Sequence, residues 1–321
     1  MSVPRKHHYL PQFFLEEFRI LPKKGKRSHI WQIEKDGDQA YYSQAIQDTG
    51  CIRDYHTIDF KDEDPDYQTF EALLSKVESE QAELVRKICN EKRIDSSQIP
   101  PLAQFISLLR HRVPACAAHI EKMLQSVVLD SFKIMYRAGR FSEPPEALRE
   151  AFEKNDIDET LQVRIANWKI LSHMFEMALM PESIGLLSQF SYHVHLSEGT
   201  NVFVTSDNPV ALYHPNYNKI RPYGVGLAMK DVQVTVALSP MILIQAGLHI
   251  QTGTSTASLE EVEEFNRRTI TMADSYVFTS IVTDDLRQRI GELKDVRAGF
   301  VFDSLFYGDG SCQISRFIPV Q

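Results

Sequence analysis

The chain has 321 residues, 43% hydrophobic and 24% charged, enough for one large or two medium domains around a substantial core. It contains no run of ~18 uninterrupted apolar residues and no apolar signal-peptide segment, so a cytoplasmic protein with no membrane association is expected. A formal net charge of −8 opposes wholesale coating of a polyanion, and the scattered Cys51, Cys89, Cys116 and Cys312, without a CxxC pair, argue against a zinc ribbon or a disulfide framework.

In chain order, Pro11 followed by Phe13, Phe14 and Phe18 predicts a short helix that buries an aromatic face and holds His7, His8 and Gln12 at its mouth. Alternating runs over 28–33 and 39–42 around Lys35-Asp36-Gly37-Asp38 predict a β hairpin. From Asp66 onward Phe70, Leu73, Leu74, Val77, Leu84, Val85 and Ile88 recur with a period near that of a helix. Residues 102–139 are predicted helical and interrupted at Pro114, which has no N–H to donate. Amphipathic segments follow over 145–155 and 161–189. β-formers then dominate 193–196, 201–205, 232–238 and 241–245. Ser258-Leu259-Glu260-Glu261 has the capping-box pattern and opens a helix to Ala273, and strands over 276–281, 299–305 and 312–317 close the chain. The expected fold is α+β, with an N-terminal β hairpin, a central helical layer and a C-terminal mixed β-sheet. Without a Gly/Ser/Pro-rich linker, one compact unit over 1–321 is favoured: motif and hairpin in 1–60, helices in 66–191, an α+β part in 192–321.

Several polar groupings stand out from this scaffold. Lys6-His7-His8-Tyr9-Leu10-Pro11-Gln12 sets two imidazoles and an amide among aromatics. Neighbours on an extended segment point to opposite faces, so one imidazole is assigned proton transfer or metal binding and the other a bracing hydrogen bond, with Gln12 orienting a substrate. The alternative is an aromatic cap with surface histidines. Thr205-Ser206-Asp207-Asn208-Pro209 follows a strand, and Pro209 keeps Asn208 extended, so Ser206, Asp207 and Asn208 either brace a turn or face a ligand. Asp207 is a candidate general base or hard-metal ligand. Arg110 and Arg112 flank His111 ahead of Pro114, where guanidinium groups suit phosphate or carboxylate, although only one can share the buried helix face. The structural alternative is a buried salt bridge to Asp207. Cys51, Asp54 and His56 mimic a metal triad at a spacing that is not a zinc pattern, so a core or edge-strand role is expected there, and His193 and His195 share a strand face.

These segments also carry a resemblance. His7-His8-Tyr9-Leu10-Pro11-Gln12-Phe13-Phe14-Leu15 resembles the N-terminal signature of the family catalogued as domain of unknown function 4238. Cys51-Ile52-Arg53-Asp54-Tyr55-His56-Thr57 and Arg110-His111-Arg112-Val113-Pro114 resemble two further blocks, Phe203-Val204-Thr205-Ser206-Asp207-Asn208-Pro209-Val210 is similar to the most distinctive internal block, and Leu238-Ser239-Pro240 with Asn266 resembles the last two. The resemblance spans nearly the whole chain. It implies a full-length bacterial-type soluble domain and brings no activity with it.

There is no GxGxxG opening a helix, no GxxxxGK[ST], no HExxH and no GxSxG, which weakens dinucleotide, P-loop, zincin and α/β-hydrolase assignments. Arg5, Lys6, Arg19, Lys23, Lys24, Lys26 and Arg27 crowd the start ahead of an acidic run over 59–66, and either focus an anionic substrate or form a solvated loop. The leading expectation is a hydrolase acting on a phosphate-containing substrate, nucleic acid included. His7, His8 and Asp207 are its catalytic candidates, and Gln12, Arg110, Arg112, Ser206 and Asn208 its binding candidates. A divalent metal is a candidate cofactor; its identity, like the oligomeric state, is left open. The competing expectation is a non-catalytic sensor of a small anion or nucleotide, and a third is a buried polar lock. A single site requires His7, His8, Arg110, Arg112 and Asp207 to converge on one cavity. Catalytic roles further predict that alanine at His7, His8 or Asp207 abolishes activity with little change in melting.

Overall fold

The computed structural model describes residues 5–20, 27–60, 63–141, 145–154, 157, 161–217, 224–307 and 310–320, apart from the side chains of 303–307 and 310–313. Its fold is α+β. Strands β1 (Lys6–His8) and β4 (Cys51–Arg53) pair antiparallel around the helix α1 (Gln12–Glu16) and the hairpin β2 (His29–Glu34) and β3 (Tyr41–Ala45). The helical layer follows as α2 (Thr69–Glu91), α3 (Ile99–His111), α4 (Pro114–Arg137), α5 (Glu146–Lys154), α6 (Asn167–Ala178) and α7 (Pro181–Ser188). Then come β5 (Ser191–Leu196), β6 (Thr205–Ser206), β7 (Ala211–Tyr213), β8 (Gln233–Ser239), β9 (Ile242–Gly247) and β10 (Gly253–Thr256). Helix α8 (Leu259–Met272), β11 (Tyr276–Thr279), α9 (Asp284–Glu292), β12 (Gly299–Tyr307) and β13 (Gly310–Ile318) complete the chain.

The C-terminal sheet is mixed, in the order β10-β5-β9-β8-β7 with β10 parallel to β5 and the other pairs antiparallel. The N-terminal hairpin does not form a layer of its own. It joins the C-terminal strands in a second sheet, β3-β2-β11-β6, because β2 pairs with β11. Two other expectations are corrected. The helix expected over 161–189 begins at Asn167 and divides at Pro181, the first residue of α7, where a missing N–H costs nothing. The strand expected over 201–205 shrinks to β6, since Asn266 of α8 takes the place of a neighbouring strand: its Oδ1 accepts the Val204 N–H at 2.9 Å and its Nδ2 donates to the Val202 carbonyl at 2.9 Å.

Ser258 caps α8 as its pattern predicts, accepting the Glu261 N–H at 3.2 Å while Glu261 accepts the Ser258 N–H at 2.8 Å. One hydrophobic cluster joins Phe14 and Phe18 to Phe105 of α3, Val234 and Ile244 of the mixed sheet, and Val320. Each such side chain contributes roughly 1.5–3 kcal/mol on full burial. Among the described residues no helix is long and apolar enough to cross a membrane.

The break between α3 and α4 shapes everything that follows. Val113 is extended, with ψ 152°, and Pro114 opens α4. Inside the corner, buried His111 donates from Nδ1 to the Ser107 carbonyl at 2.8 Å. Burial, and then the neighbouring Arg110 charge, lowers its pKa to about 4. The folded chain thus keeps His111 neutral while the unfolded chain takes up a proton below ~6.5, so the stability it contributes is full above that pH and is lost as pH falls toward about 4. The loss should be roughly 3 kcal/mol. Urea unfolding at pH 7 and pH 4.5 should show a smaller drop for His111→Asn, which keeps a donor for Ser107 and does not titrate; equal drops would place the acid lability elsewhere.

Candidate functional site: two polar centres on either side of one helix corner

The first centre is built from the N-terminal motif. Gly50, at φ +62°, accepts the amides of Tyr9 and Leu10 at 2.9 and 3.2 Å, and a Cβ there would lie 3.0 Å from Leu10 Cβ, so glycine is needed to set β1 against β4. After β4 the chain turns through Asp54, left-handed at φ 59°, whose carboxylate takes the Arg5 guanidinium at 2.7 and 2.5 Å. Asn167 of α6 clamps this turn, donating to the Tyr55 and Thr57 carbonyls at 3.1 and 2.8 Å. The His56 N–H consequently donates to His7 Nδ1 at 2.8 Å, and His56 Nδ1 meets Glu71 Oε1, in the first turn of α2, at 2.5 Å. The His7 and His56 rings lie 9° from parallel with centroids 5.6 Å apart.

Burial lowers the pKa of His56, so it is neutral near pH 7. Burial alone would raise the Glu71 carboxyl, but the hydrogen bond from His56 and the neighbouring imidazoles and Arg112 guanidinium outweigh it and the net shift is downward. A neutral imidazole therefore donates from Nδ1 to a carboxylate, which sets its tautomer and leaves Nε2 with a lone pair. That Nε2, like the Nε2 of His7, is buried with no hydrogen-bond partner among the described residues.

His8 faces elsewhere, as alternation along a strand requires; it is half-buried, with Nδ1 3.4 Å from Gln12 Nε2. Arg112 is a strut. It donates from Nη2 to the His8 carbonyl at 2.6 Å and from Nη1 to Glu78 at 2.8 Å, so its ion-pair partner is Glu78 and not Asp207.

Arg110 lies two residues earlier on α3, about 200° around the helix, and looks the other way. It faces a cavity of about 540 Å³ whose walls include His119, Asn208, Asp274, Phe300 and Phe317. Ala115, Ala118, His119 and Lys122, spaced i, i+3, i+4, i+7 on α4, line one side of it. The Arg110 guanidinium lies over the Phe317 ring at 5.4 Å, and no carboxylate pairs with it among the described residues. Burial lowers its pKa to about 10, which leaves it charged at neutral pH. His119 stacks on Phe300 and Phe302 with centroids 3.9 and 4.8 Å apart, and burial followed by the Lys122 charge lowers it to about 4. Asn208 is buried, and its side-chain amide makes no hydrogen bond within the described residues.

Asp207 lies beneath this wall. Its oxygens accept the N–H groups of Asp274, Ser275 and Tyr276 at 2.8, 2.7 and 3.0 Å, while Ser206 Oγ accepts the Asn208 N–H at 3.2 Å. Burial raises the Asp207 carboxyl to about 6 and the three amides pull it back. The residue stitches the end of β6 to the turn before β11, and so carries Asn208 and Asp274 to the cavity.

Of the residues singled out in the sequence, Arg110 and Asn208 therefore share a cavity, whereas His7, His8, Gln12 and Arg112 gather in the first centre. His7, His8, Arg112 and Asp207 do not line that cavity, so the five residues do not converge on it. Lys23, Lys24 and Lys26 lie outside the described residues. His193 is occupied by the Gln251 carbonyl and Ser255, and His195 by Gln245. Glu71 was missed, because no local motif marks it and only docking of α2 brings it to His56. His119 and Lys122 were also missed, although their spacing with two alanines was a visible signal.

A model of the family described as "Protein of unknown function (DUF4238)" matches residues 6–282, and no curated protein and no solved structure matches the chain. The match contains His7, His56, Glu71, Arg110, Asn208 and Asp274, while β12 and β13, which supply the aromatic wall, lie beyond it. Covering most of the chain, it makes this chain a member of the DUF4238 family.

Proposed function

We propose that this chain binds a small anionic ligand bearing a phosphate or carboxylate, held by Arg110 with an apolar portion against His119, Phe300 and Phe317. One observation carries the proposal: among the described residues Arg110 makes no ion pair and faces a cavity, whereas Arg5, Arg112, Arg268 and Arg289 each reach a carboxylate. Holding a guanidinium uncompensated in a partly buried place costs several kcal/mol, and a ligand anion would offset that cost. The start of α4 and the Asn208 amide add dipoles of matching sign. A cytoplasmic place of action belongs to the same proposal and is supported by the free thiols of Cys51, Cys89 and Cys116.

Hydrolysis of a phosphate-containing substrate, nucleic acid included, has less support. His7 and His8 stand outside the cavity, and three amides occupy the Asp207 oxygens.

Calorimetric titration with inorganic phosphate and with adenosine monophosphate tests this. Arg110→Lys, which keeps charge without the planar fork, should weaken binding about 10-fold, and Arg110→Leu about 100-fold. Arg110→Leu should also melt higher than wild type, because an apolar group replaces an uncompensated charge. Wild-type affinity in Arg110→Leu would reject the site, and release of phosphate from the monophosphate would return hydrolysis to first place.

A further inference from the structure

We propose that His7, His56 and Glu71 form a binding site for one divalent transition-metal ion, with Zn²⁺ the best match, independent of whatever fills the Arg110 cavity. One donor atom from each of the three lies within 4.8 Å of the others. They come from β1, from the turn after β4 and from the first turn of α2, three segments that only the folded chain brings together.

Two imidazoles on one zinc, with Zn–N bonds of ~2.0–2.1 Å, place their ring centroids roughly 5–6 Å apart. The His7 and His56 centroids are 5.6 Å apart, a separation that suits co-ligands and is loose for a packed stack. A single proton now joins His56 Nδ1 to Glu71 Oε1 at 2.5 Å, and His7 Nδ1 turns a lone pair toward the His56 N–H at 2.8 Å. An ion replacing that proton as the bridge, with the His56 N–H yielding its place on His7, meets two nitrogens and one oxygen. This donor set suits Zn²⁺ and its transition-metal neighbours, whereas Mg²⁺ and Ca²⁺ favour oxygen alone.

The surroundings admit the charge. Arg112 is the nearby cation and is neutralised by Glu78 at 2.8 Å, so the Glu71 carboxylate is left to face the ion. His7 and His56 are 0% and 1% exposed, but the Glu71 side chain keeps 35% of its surface, which gives the ion and a fourth ligand, water, a route in.

The test uses the full chain, stripped with a chelator and titrated with ZnCl₂ by calorimetry and with Co²⁺ by visible absorption. One equivalent should bind, with the intense bands of tetrahedral Co²⁺ and a rise in melting temperature. His56→Ala should weaken binding about 100-fold and Glu71→Gln at least about 10-fold. Arg110→Leu should leave it unchanged, which separates this site from the anion cavity. Glu71 is half-exposed, so Glu71→Gln is the deciding variant if His56→Ala does not fold. Stoichiometric binding that survives Glu71→Gln and His7→Ala, or no uptake by the wild type, would overturn the proposal.

Discussion

Asp207→Ala should lower folding stability by roughly 3–6 kcal/mol, because it strands three part-buried N–H donors at about 1–3 kcal/mol each. Against a total of about 5–15 kcal/mol, that is enough to unfold much of the protein at moderate temperature. Urea denaturation measures it directly. Asp207→Asn should fall between, since its single oxygen can accept from some of the amides while its NH₂ opposes another. Anion affinity at Arg110 should fall with stability in both variants, because Asn208 reaches the cavity through the Asp207 turn. A catalytic role predicts the opposite, lost activity at unchanged melting. Wild-type melting of Asp207→Ala would therefore return Asp207 to the catalytic candidates.

Arg112→Ala should lose roughly 2–4 kcal/mol. Removing one member of a buried ion pair typically costs about 3–5 kcal/mol, and Glu78, with 26% of its side chain exposed, recovers part of that from water. Arg112→Lys should lose roughly 1–2 kcal/mol, because an ammonium cannot reach both Glu78 and the His8 carbonyl in the geometry of the fork. Neither variant should change the affinity of the Arg110 cavity for phosphate. A double-mutant cycle with Glu78→Gln, read by chemical denaturation, should show clear non-additivity. Additive losses, or weakened anion binding with stability intact, would return Arg112 to the ligand site.

Much of the architecture was legible before any coordinates. The apolar period of α2, the Asp-Gly turn between β2 and β3, the capping box of α8 and the break before Pro114 each depend on sterics and hydrogen bonds within a few residues. The motifs around His7, Arg110 and Asp207 were legible in the same way, as unusual local chemistry. Their partners were not. His7 meets His56 across 49 residues, and His56 meets Glu71 across 15.

By itself, then, the sequence determined the type of most segments, the turn, cap and break that bound several of them, and which polar residues are out of place in a simple core. Tertiary structure alone decided that β2 pairs with β11, that Arg112 is a paired strut while Arg110 is left facing a cavity, and that the Asp207 carboxylate is spent on three distant amides. The reason is physical. Local conformation is set by neighbours along the chain, but docking is driven by burial of apolar surface, which is non-directional and carries polar side chains to partners that no local pattern specifies.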